Sequence, residues 1–176
     1  MKWILYFVVF IAVVSGATFL IGYSLPAKTT ISRSITLQQP PAAVFAVLAD
    51  VRRMAEWNRN TEKVEMLPSV EGKEATKQTF KDGMVMTIIT AESAPPHHLV
   101  RKLGDDGGPF VGSWTYEISP ADGGSRVVLT EVAVFKNPLF RVMTRIFGQT
   151  KYMDEHLQDL AKKFGETAHV RRNRAH

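Results

Sequence analysis

The N-terminal segment is the feature that most constrains how this chain can fold. From Trp3 to Leu25 there are 23 consecutive residues without a charge, and 18 of them are hydrophobic. As an α-helix this segment is about 35 Å long at about 1.5 Å per residue, enough to cross a hydrocarbon core of about 30 Å. Aromatic residues near its ends, Tyr6 and Tyr23 among them, suit the membrane interfaces. The sequence therefore predicts a single-pass membrane anchor over residues 1–26.

A cleaved signal peptide is the alternative interpretation of this segment. The small residues Ser15 and Gly16 before Ala17 are compatible with cleavage, but the apolar run continues well past them. The charges on either side are nearly balanced, with Lys2 before the segment and Lys28 just after it. A short basic head followed by a long apolar run is typical of a signal anchor, which predicts a domain outside the cytoplasm.

The remaining 150 residues have the length of one domain. The chain has no cysteine, which excludes disulfides, thiolate catalysis and cysteine-ligated zinc. It also has no glycine-rich phosphate-binding motif, so we predict no cofactor.

The net charge of +5 belongs to the C-terminal part of the chain. Residues 27–135 carry 12 basic and 13 acidic side chains, whereas residues 136–176 carry 9 basic and 4 acidic ones. The basic residues form either the solvated face of a helix or a surface resting on anionic lipid. Because no base-reading element is recognisable, we predict no nucleic-acid partner.

The pattern of apolar residues predicts an α+β domain. Ile31–Leu37 alternates as a half-buried strand does, and Pro41 suits the first turn of a helix that continues to Ala49. A second short helix is predicted over 51–57. Six strand-forming runs with short turns between them then predict an antiparallel meander: 62–67, 75–81, 84–92, 98–103, 110–118 and 125–135.

A long helix is predicted at the C-terminal end of the domain. Asn137 and Pro138 have the residue types of an N-cap and a first helical position. Apolar residues then recur at helical spacing up to Phe164, with Gly148 as a predicted break. This helix is the element long enough to cover one face of the sheet. Residues 169–176 are predicted to be a frayed basic tail.

Three stretches resemble the START/polyketide cyclase-like (SRPBCC) superfamily, which includes the birch-pollen-allergen proteins. They are the helix from Pro41 to Asp50 followed by Trp57, the hairpin over 112–131, and the helix over 137–165. The resemblance implies a helix-grip fold over residues 27–168: a bent antiparallel sheet of about six or seven strands wrapped round the C-terminal helix. It also implies an apolar cavity between sheet and helix that binds hydrophobic small molecules.

Strand parity suggests which residues face that cavity. Trp114 and Tyr116 share one face of their strand, and Leu129 and Glu131 share the corresponding face of the next. A buried Glu131 carboxyl can act as acid or base, with Tyr116 as the second catalytic candidate, or it can pair with Arg101. The predicted ligand-binding residues are Trp57, Phe80, Met86, Arg101, Trp114, Tyr116, Leu129, Glu131, Phe147 and Met153.

No metal site is predicted. His97 and His98 are adjacent and point to opposite faces of a strand, so they do not share an ion. His156, His169 and His176 are expected to face solvent.

Three functions remain open on the sequence. The first is a membrane-tethered module that binds a lipid or polyketide-like molecule. The second is a cyclase or dehydrase that uses the cavity carboxylate. The third is a cochaperone-like interaction module with an exposed apolar patch around Val132 and Val134. The sequence does not predict an oligomeric state.

Overall fold

A computed structural model describes residues 2–104, 110–147 and 150–173 of the chain, without the side chains of Leu5 and Phe147. Its helices are α1 Lys2–Ser24, α2 Pro41–Ala49, α3 Met54–Trp57 after a 3-10 turn at Val51–Arg53, α4 Pro138–Phe147 and α5 Lys151–Lys163. Its strands are β1 Lys28–Leu37, β2 Thr61–Val70, β3 Lys73–Phe80, β4 Val85–Ala94, β5 His98–Leu103, β6 Phe110–Ala121, β7 Gly124–Phe135 and β8 Arg171–Asn173.

Within these ranges the strands form one antiparallel sheet in the order β2-β3-β4-β5-β6-β7-β1-β8. Strands β2 to β7 follow one another as a meander, and β1 closes the series by pairing along its whole length with β7. The predicted meander and the predicted element order are confirmed. The predicted bent sheet gripping a C-terminal helix is confirmed as well.

The short strand β8 departs from the prediction of a frayed tail. Arg171–Asn173 pairs with Ser32–Ser34 of β1, and the Ser34 hydroxyl bonds the Asn173 amide oxygen at 3.2 Å. Without β8 this stretch of β1 would leave its backbone groups at an open edge of the sheet. Arg171–Asn173 therefore supplies hydrogen-bond partners for the backbone of β1, and the sequence pattern does not predict this pairing.

Helix α2 and helix α5 close the core against the sheet. The buried face of α2 consists of Val44, Phe45 and Leu48. Helix α5 buries Met153, Leu157, Leu160 and Ala161 completely. These side chains form one continuous cluster with buried residues of β1, β5, β6 and β7.

The C-terminal helix is divided into α4 and α5. The predicted break at Gly148 lies outside the described residues, but the two helices on either side of it differ in environment. Helix α5 is packed into the core, whereas α4 exposes large apolar side chains.

Helix α1 lies outside the core with its side chains largely exposed. It is the helix in the described part of the chain that is long and apolar enough to span a membrane, and a signal sequence meets the same criteria. Only residues 25–27 separate it from β1, and the Phe135 backbone N–H donates to the Ala27 carbonyl at 2.8 Å. The helix therefore leads directly into the sheet.

Candidate functional site

A cavity of about 280 Å³ lies between the concave sheet face and the C-terminal helices. Its walls are mostly apolar, with a few polar groups among them, as is usual for small-molecule sites. The lining residues are Met54, Asn58, Asn60, Thr61, Gln78, Phe80, Asp82, Met84, Met86, Ile88, Arg101, Leu103, Phe110, Trp114, Tyr116, Glu131, Phe135, Phe140, Thr144, Tyr152 and His156.

Arg101 is the charged group of β5 that faces this cavity. Its side chain is 3% exposed, and its Nη2 donates to the Leu48 carbonyl at 2.6 Å. The buried Nε has no hydrogen-bond partner, and none of the ion pairs in the described part of the chain involves Arg101. Burial lowers the pKa of Arg101, but a guanidinium stays protonated in proteins. The cavity wall thus holds a cation with an unused donor.

His156 lies beside the cavity and joins two polar groups. Its Nδ1 is 2.6 Å from Asn58 Nδ2, and its Nε2 is 3.0 Å from the Tyr116 hydroxyl. The prediction that His156 faces solvent is wrong, because the side chain is 1% exposed. Burial first, and the nearby Arg101 second, lower the pKa of His156 to about 3, so the imidazole is neutral at pH 7.

The hydrogen-bond network assigns the proton positions in this group. The Asn58 amide oxygen accepts from the Asn60 N–H at 2.9 Å, which leaves the Asn58 NH₂ to donate to His156 Nδ1. A neutral histidine then carries its proton on Nε2 and donates it to the Tyr116 oxygen. The Tyr116 hydroxyl keeps its own proton, which burial holds by raising the pKa of the phenol. Tyr116 is therefore a hydrogen-bond donor available to a molecule in the cavity.

Glu131 provides the carboxyl group of the cavity. The Trp114 indole Nε1 donates to Glu131 Oε2 at 2.6 Å, and the two residues face each other across β6 and β7. Burial raises the pKa of Glu131, which the Trp114 hydrogen bond opposes in part. The predicted alternative of a Glu131–Arg101 pair is wrong, because Trp114 stands between the two strands.

Residues of α4, α5 and the β3–β4 hairpin also line the cavity. The Tyr152 hydroxyl of α5 donates to Asp82 Oδ2 of the hairpin at 2.5 Å. This hydrogen bond lowers the pKa of Asp82 and raises the pKa of Tyr152 to about 12. Phe140 and Thr144 of α4 line the same cavity.

The structure brings six of the predicted ligand-binding residues to the cavity: Phe80, Met86, Arg101, Trp114, Tyr116 and Glu131. Leu129 and Met153 instead lie in the fully buried core and do not line the cavity. Trp57 packs on His156 with ring centroids 5.1 Å apart and borders a separate, smaller pocket. The side chain of Phe147 lies outside the described residues.

Sequence reasoning missed the polar residues Asn58, Gln78 and His156. A signal for His156 was present, since it follows Met153 by three residues and precedes Leu160 by four, which places it on the buried helix face. Asn58 and Gln78 had no comparable signal. Asn58 follows α3 at the start of a turn, and Gln78 belongs to a strand with few large apolar residues.

A bent antiparallel sheet that grips a C-terminal helix around an apolar cavity defines a helix-grip protein of the hydrophobic-ligand-binding or cyclase class. The chain belongs to the family described as polyketide cyclase / dehydrase and lipid transport, whose model matches residues 28–165. Comparison with curated proteins gives no match.

Solved structures share the fold at low sequence identity. The Zhui aromatase/cyclase from Streptomyces sp. R1128 is 18% identical, with a TM-score of 0.65 over 77% of this chain and 93% of that one. A conserved protein from Geobacillus kaustophilus is 15% identical, with a TM-score of 0.63 over 81% and 99%. The di-domain aromatase/cyclase BexL of the BE-7585A biosynthetic pathway is 11% identical, with a TM-score of 0.63 over 76% of this chain. The chain spans about half of that di-domain protein, 49% of its length.

Proposed function

We propose that this protein is a membrane-tethered domain that binds a hydrophobic small molecule, lipid-like or polyketide-like, by an oxygen-bearing end. The observation that carries the proposal is the unpartnered Arg101 Nε in the wall of an otherwise apolar cavity. A buried cation without a counter-ion is costly, and a carbonyl or carboxylate oxygen of a ligand offsets that cost.

The Tyr116 hydroxyl supports the same orientation of the ligand. It already accepts a hydrogen bond from His156, so its remaining capacity is to donate. Two donors, one of them charged, favour a ligand with acceptor atoms at its inner end. The apolar residues of β3, β4 and β5 then contact the hydrophobic remainder, Phe80, Met86 and Ile88 among them.

Tethering by α1 places this cavity near a source of hydrophobic molecules. The helix is long enough for a bilayer, and three residues connect it to β1, a span of at most about 10 Å. The description of the family includes lipid transport. With α1 as a signal anchor, the domain stands outside the cytoplasm.

The test compares neighbouring cations on β5. Arg101 faces the cavity and Lys102 faces solvent, so Arg101→Met and Lys102→Met remove one charge each from opposite faces of the sheet. Full-length protein is purified in detergent, bound compounds are extracted and identified by mass spectrometry, and binding of a fluorescent fatty acid is titrated.

Wild type and Lys102→Met are expected to retain the same oxygen-bearing hydrophobic compound. Arg101→Met is expected to bind the fatty acid about 10-fold more weakly or worse, since a hydrogen bond to a charged group contributes about 1.5–3 kcal/mol. Urea unfolding followed by circular dichroism confirms that both variants are folded. Equal binding by all three proteins, or no bound compound in any of them, contradicts the proposal.

A cyclase or dehydrase activity is the second candidate. Glu131 has a raised pKa, and it is the diagonal cross-strand neighbour of Tyr116, a separation of about 7–8 Å. A carboxyl and a phenol at that spacing can contact one substrate. The assay follows loss of water from a β-hydroxyketone. Loss of turnover in Glu131→Gln but not in the exposed Glu117→Gln supports this candidate, and equal rates exclude it.

The cochaperone-like alternative has less support. Val132 and Val134 are half-buried, so they do not form the exposed apolar patch that this alternative predicts.

A further inference from the structure

Helix α4 is amphipathic with its apolar face turned away from the protein. Leu139, Met143 and Ile146 recur at i, i+4 and i+7 and therefore share one face. Their side chains are 45%, 45% and 69% exposed. In a surface helix of a globular domain the apolar face normally packs on the core. The orientation of α4 is the reverse of that arrangement.

The polar side of α4 is the side fastened to the domain. Arg141 Nε donates to the Phe135 carbonyl at 2.9 Å, and its Nη1 donates to the Leu25 carbonyl at 3.5 Å. Thr144, one turn further on, borders the cavity. Because these polar contacts hold α4 in place, the outward direction of Leu139, Met143 and Ile146 is built into the fold.

Helix α4 also packs against the end of α1. Gly22 is buried against Pro138, and a Cβ at Gly22 would overlap the Pro138 carbonyl. Small residues allow helices to approach this closely in membranes. Gly22 lies in the last turn of a helix about 35 Å long, whereas the hydrocarbon core is about 30 Å thick. With α1 across a bilayer, the start of α4 is therefore at the level of the lipid headgroups.

The charge around α4 suits that location. Residues 136–151 contain four basic and no acidic residues, the basic ones being Lys136, Arg141, Arg145 and Lys151. Basic residues near an anionic lipid surface contribute about 1 kcal/mol each. A helix with an apolar face, flanking cations and no acidic residues has the features of an interfacial membrane helix.

We propose that α4 lies in the membrane interface with Leu139, Met143 and Ile146 inserted among the lipids, so that the side of the cavity lined by Phe140 and Thr144 opens onto the bilayer. The inference rests on the proposed membrane tether and names the route by which a hydrophobic ligand enters the cavity. A ligand that passes along α4 from the bilayer never crosses bulk water.

The absence of cysteine from the chain makes the experiment direct, because a single introduced cysteine is the sole labelling site. Met143→Cys and Ile146→Cys are spin-labelled in the full-length protein, reconstituted in nanodiscs of phosphatidylcholine and phosphatidylglycerol. Val70→Cys is the matched control, since Val70 is 43% exposed and lies at the β2–β3 turn. That turn is at the end of the sheet opposite to the start of β1.

Collisions with oxygen, which partitions into lipid, are compared with collisions with a water-soluble nickel complex. The labels at 143 and 146 are expected to favour oxygen, and the label at 70 is expected to favour nickel. Nickel accessibility at 143 and 146 equal to that at 70 overturns the inference. Protection that disappears when each nanodisc holds one protein means that a second copy covers α4, which also overturns it.

The same samples separate failure of this inference from failure of the proposed function. Protein that does not co-purify with nanodiscs contradicts the tether itself. Protein that co-purifies and retains a ligand, but whose α4 labels remain in water, contradicts only the interfacial position of α4.

Discussion

The concave face of the sheet has two halves that differ in packing. Over β1, β6 and β7, the helices α2 and α5 cover the sheet, and side chains such as Leu129 and Leu157 are fully buried. Over β4 and the C-terminal end of β5, the buried apolar residues are Met86, Ile88 and Leu103, with partly buried aromatic residues around them. The described part of the first half is packed without a cavity, and we call it the solid half. The second half contains the cavity, and we call it the cavity half. Trp114 packs against both.

The difference shows that helix placement, more than strand composition, creates the cavity. Both halves consist of antiparallel strands with inward-facing apolar residues, but the buried apolar side chains of α5 pack on only one of them. Polar groups collect at the border between the halves, where Tyr116 and His156 meet Arg101. At that border a ligand can complete their hydrogen bonding, which the solid half does not permit.

The largest expected effect comes from truncating one side chain in each half. Leu160→Ala removes a fully buried side chain from the solid half and is expected to lower the free energy of unfolding by about 3–5 kcal/mol. Met86→Ala removes a cavity-wall side chain that already borders empty space, so it forfeits fewer contacts and is expected to cost about 2 kcal/mol or less. Urea unfolding of the full-length protein in one detergent measures both.

The pair of variants also tests the origin of the cavity. If the two substitutions cost the same, the half over β4 and β5 is packed as tightly as the other, and the contrast between them fails. Binding of the fluorescent fatty acid is the second readout, because Met86→Ala is expected to change it and Leu160→Ala is not.

The next largest expected effect is the pH dependence of stability caused by His156, which lies at the border between the two halves. Its pKa is about 3 in the folded protein and about 6.5 in an unfolded chain. Between these values the unfolded state binds more protons, so stability falls as the pH is lowered from about 6.5, by about 1.4 kcal/mol per pH unit. His156→Gln is expected to lose this dependence, as measured by urea unfolding at a series of pH values.

His98→Gln is the control for this experiment, since His98 lies near Glu92 at the surface and His156 remains in place. It is expected to keep the wild-type dependence on pH. A wild-type stability that does not change between pH 6 and pH 4 means that His156 is not held neutral by burial.

Glu131 is expected to change the stability with pH in the direction opposite to His156. Its folded pKa is raised above the ordinary value of about 4.3, so the folded state binds more protons than the unfolded state just above that pH. Stability attributable to Glu131 is therefore lost as pH rises through the folded pKa. Glu131→Gln is expected to be more stable relative to wild type at pH 7 than at pH 4. The exposed Glu117→Gln should show no such change, and identical behaviour of the two variants contradicts the burial of Glu131.

The solid half was largely predictable from sequence and the cavity half was not. Periodicity identified the buried face of α5, and parity placed Trp114 and Glu131 on the same face of the sheet, in agreement with the strand register. Both follow from local spacing along one element. The cavity depends instead on which residues different elements bring together: Asn58 after α3, Tyr116 in β6 and His156 in α5.

The same distinction explains why some predicted residues do not line the cavity. Leu129 and Met153 have the right parity and spacing for an inward position, but spacing does not reveal whether a helix covers that position. Strand β8 depends on a contact across about 140 residues of sequence, from Ser34 to Asn173. A single sequence has no local signal for either.

The smallest expected effect on stability comes from removing the hydrogen bond between Tyr152 and Asp82 in the cavity lining. Tyr152→Phe removes the hydrogen bond to Asp82 between α5 and the β3–β4 hairpin. Both residues lie at the surface, so the free energy of unfolding is expected to change by about 1 kcal/mol or less. The pKa of Asp82 is expected to rise towards its ordinary value, because the Tyr152 hydroxyl is the main cause of its lowering. Carboxyl NMR titration measures this shift.

The release rate of the fluorescent fatty acid shows whether this hydrogen bond affects how the cavity holds its ligand. If the ligand leaves the cavity between α5 and the hairpin, Tyr152→Phe is expected to release it faster. Tyr23→Phe, which removes a hydroxyl from α1, is the control and is expected to leave the release rate unchanged. Faster release at nearly unchanged stability separates control of ligand release from packing of the core. An unchanged release rate, with the pKa of Asp82 shifted as expected, means that this hydrogen bond does not control release of the ligand.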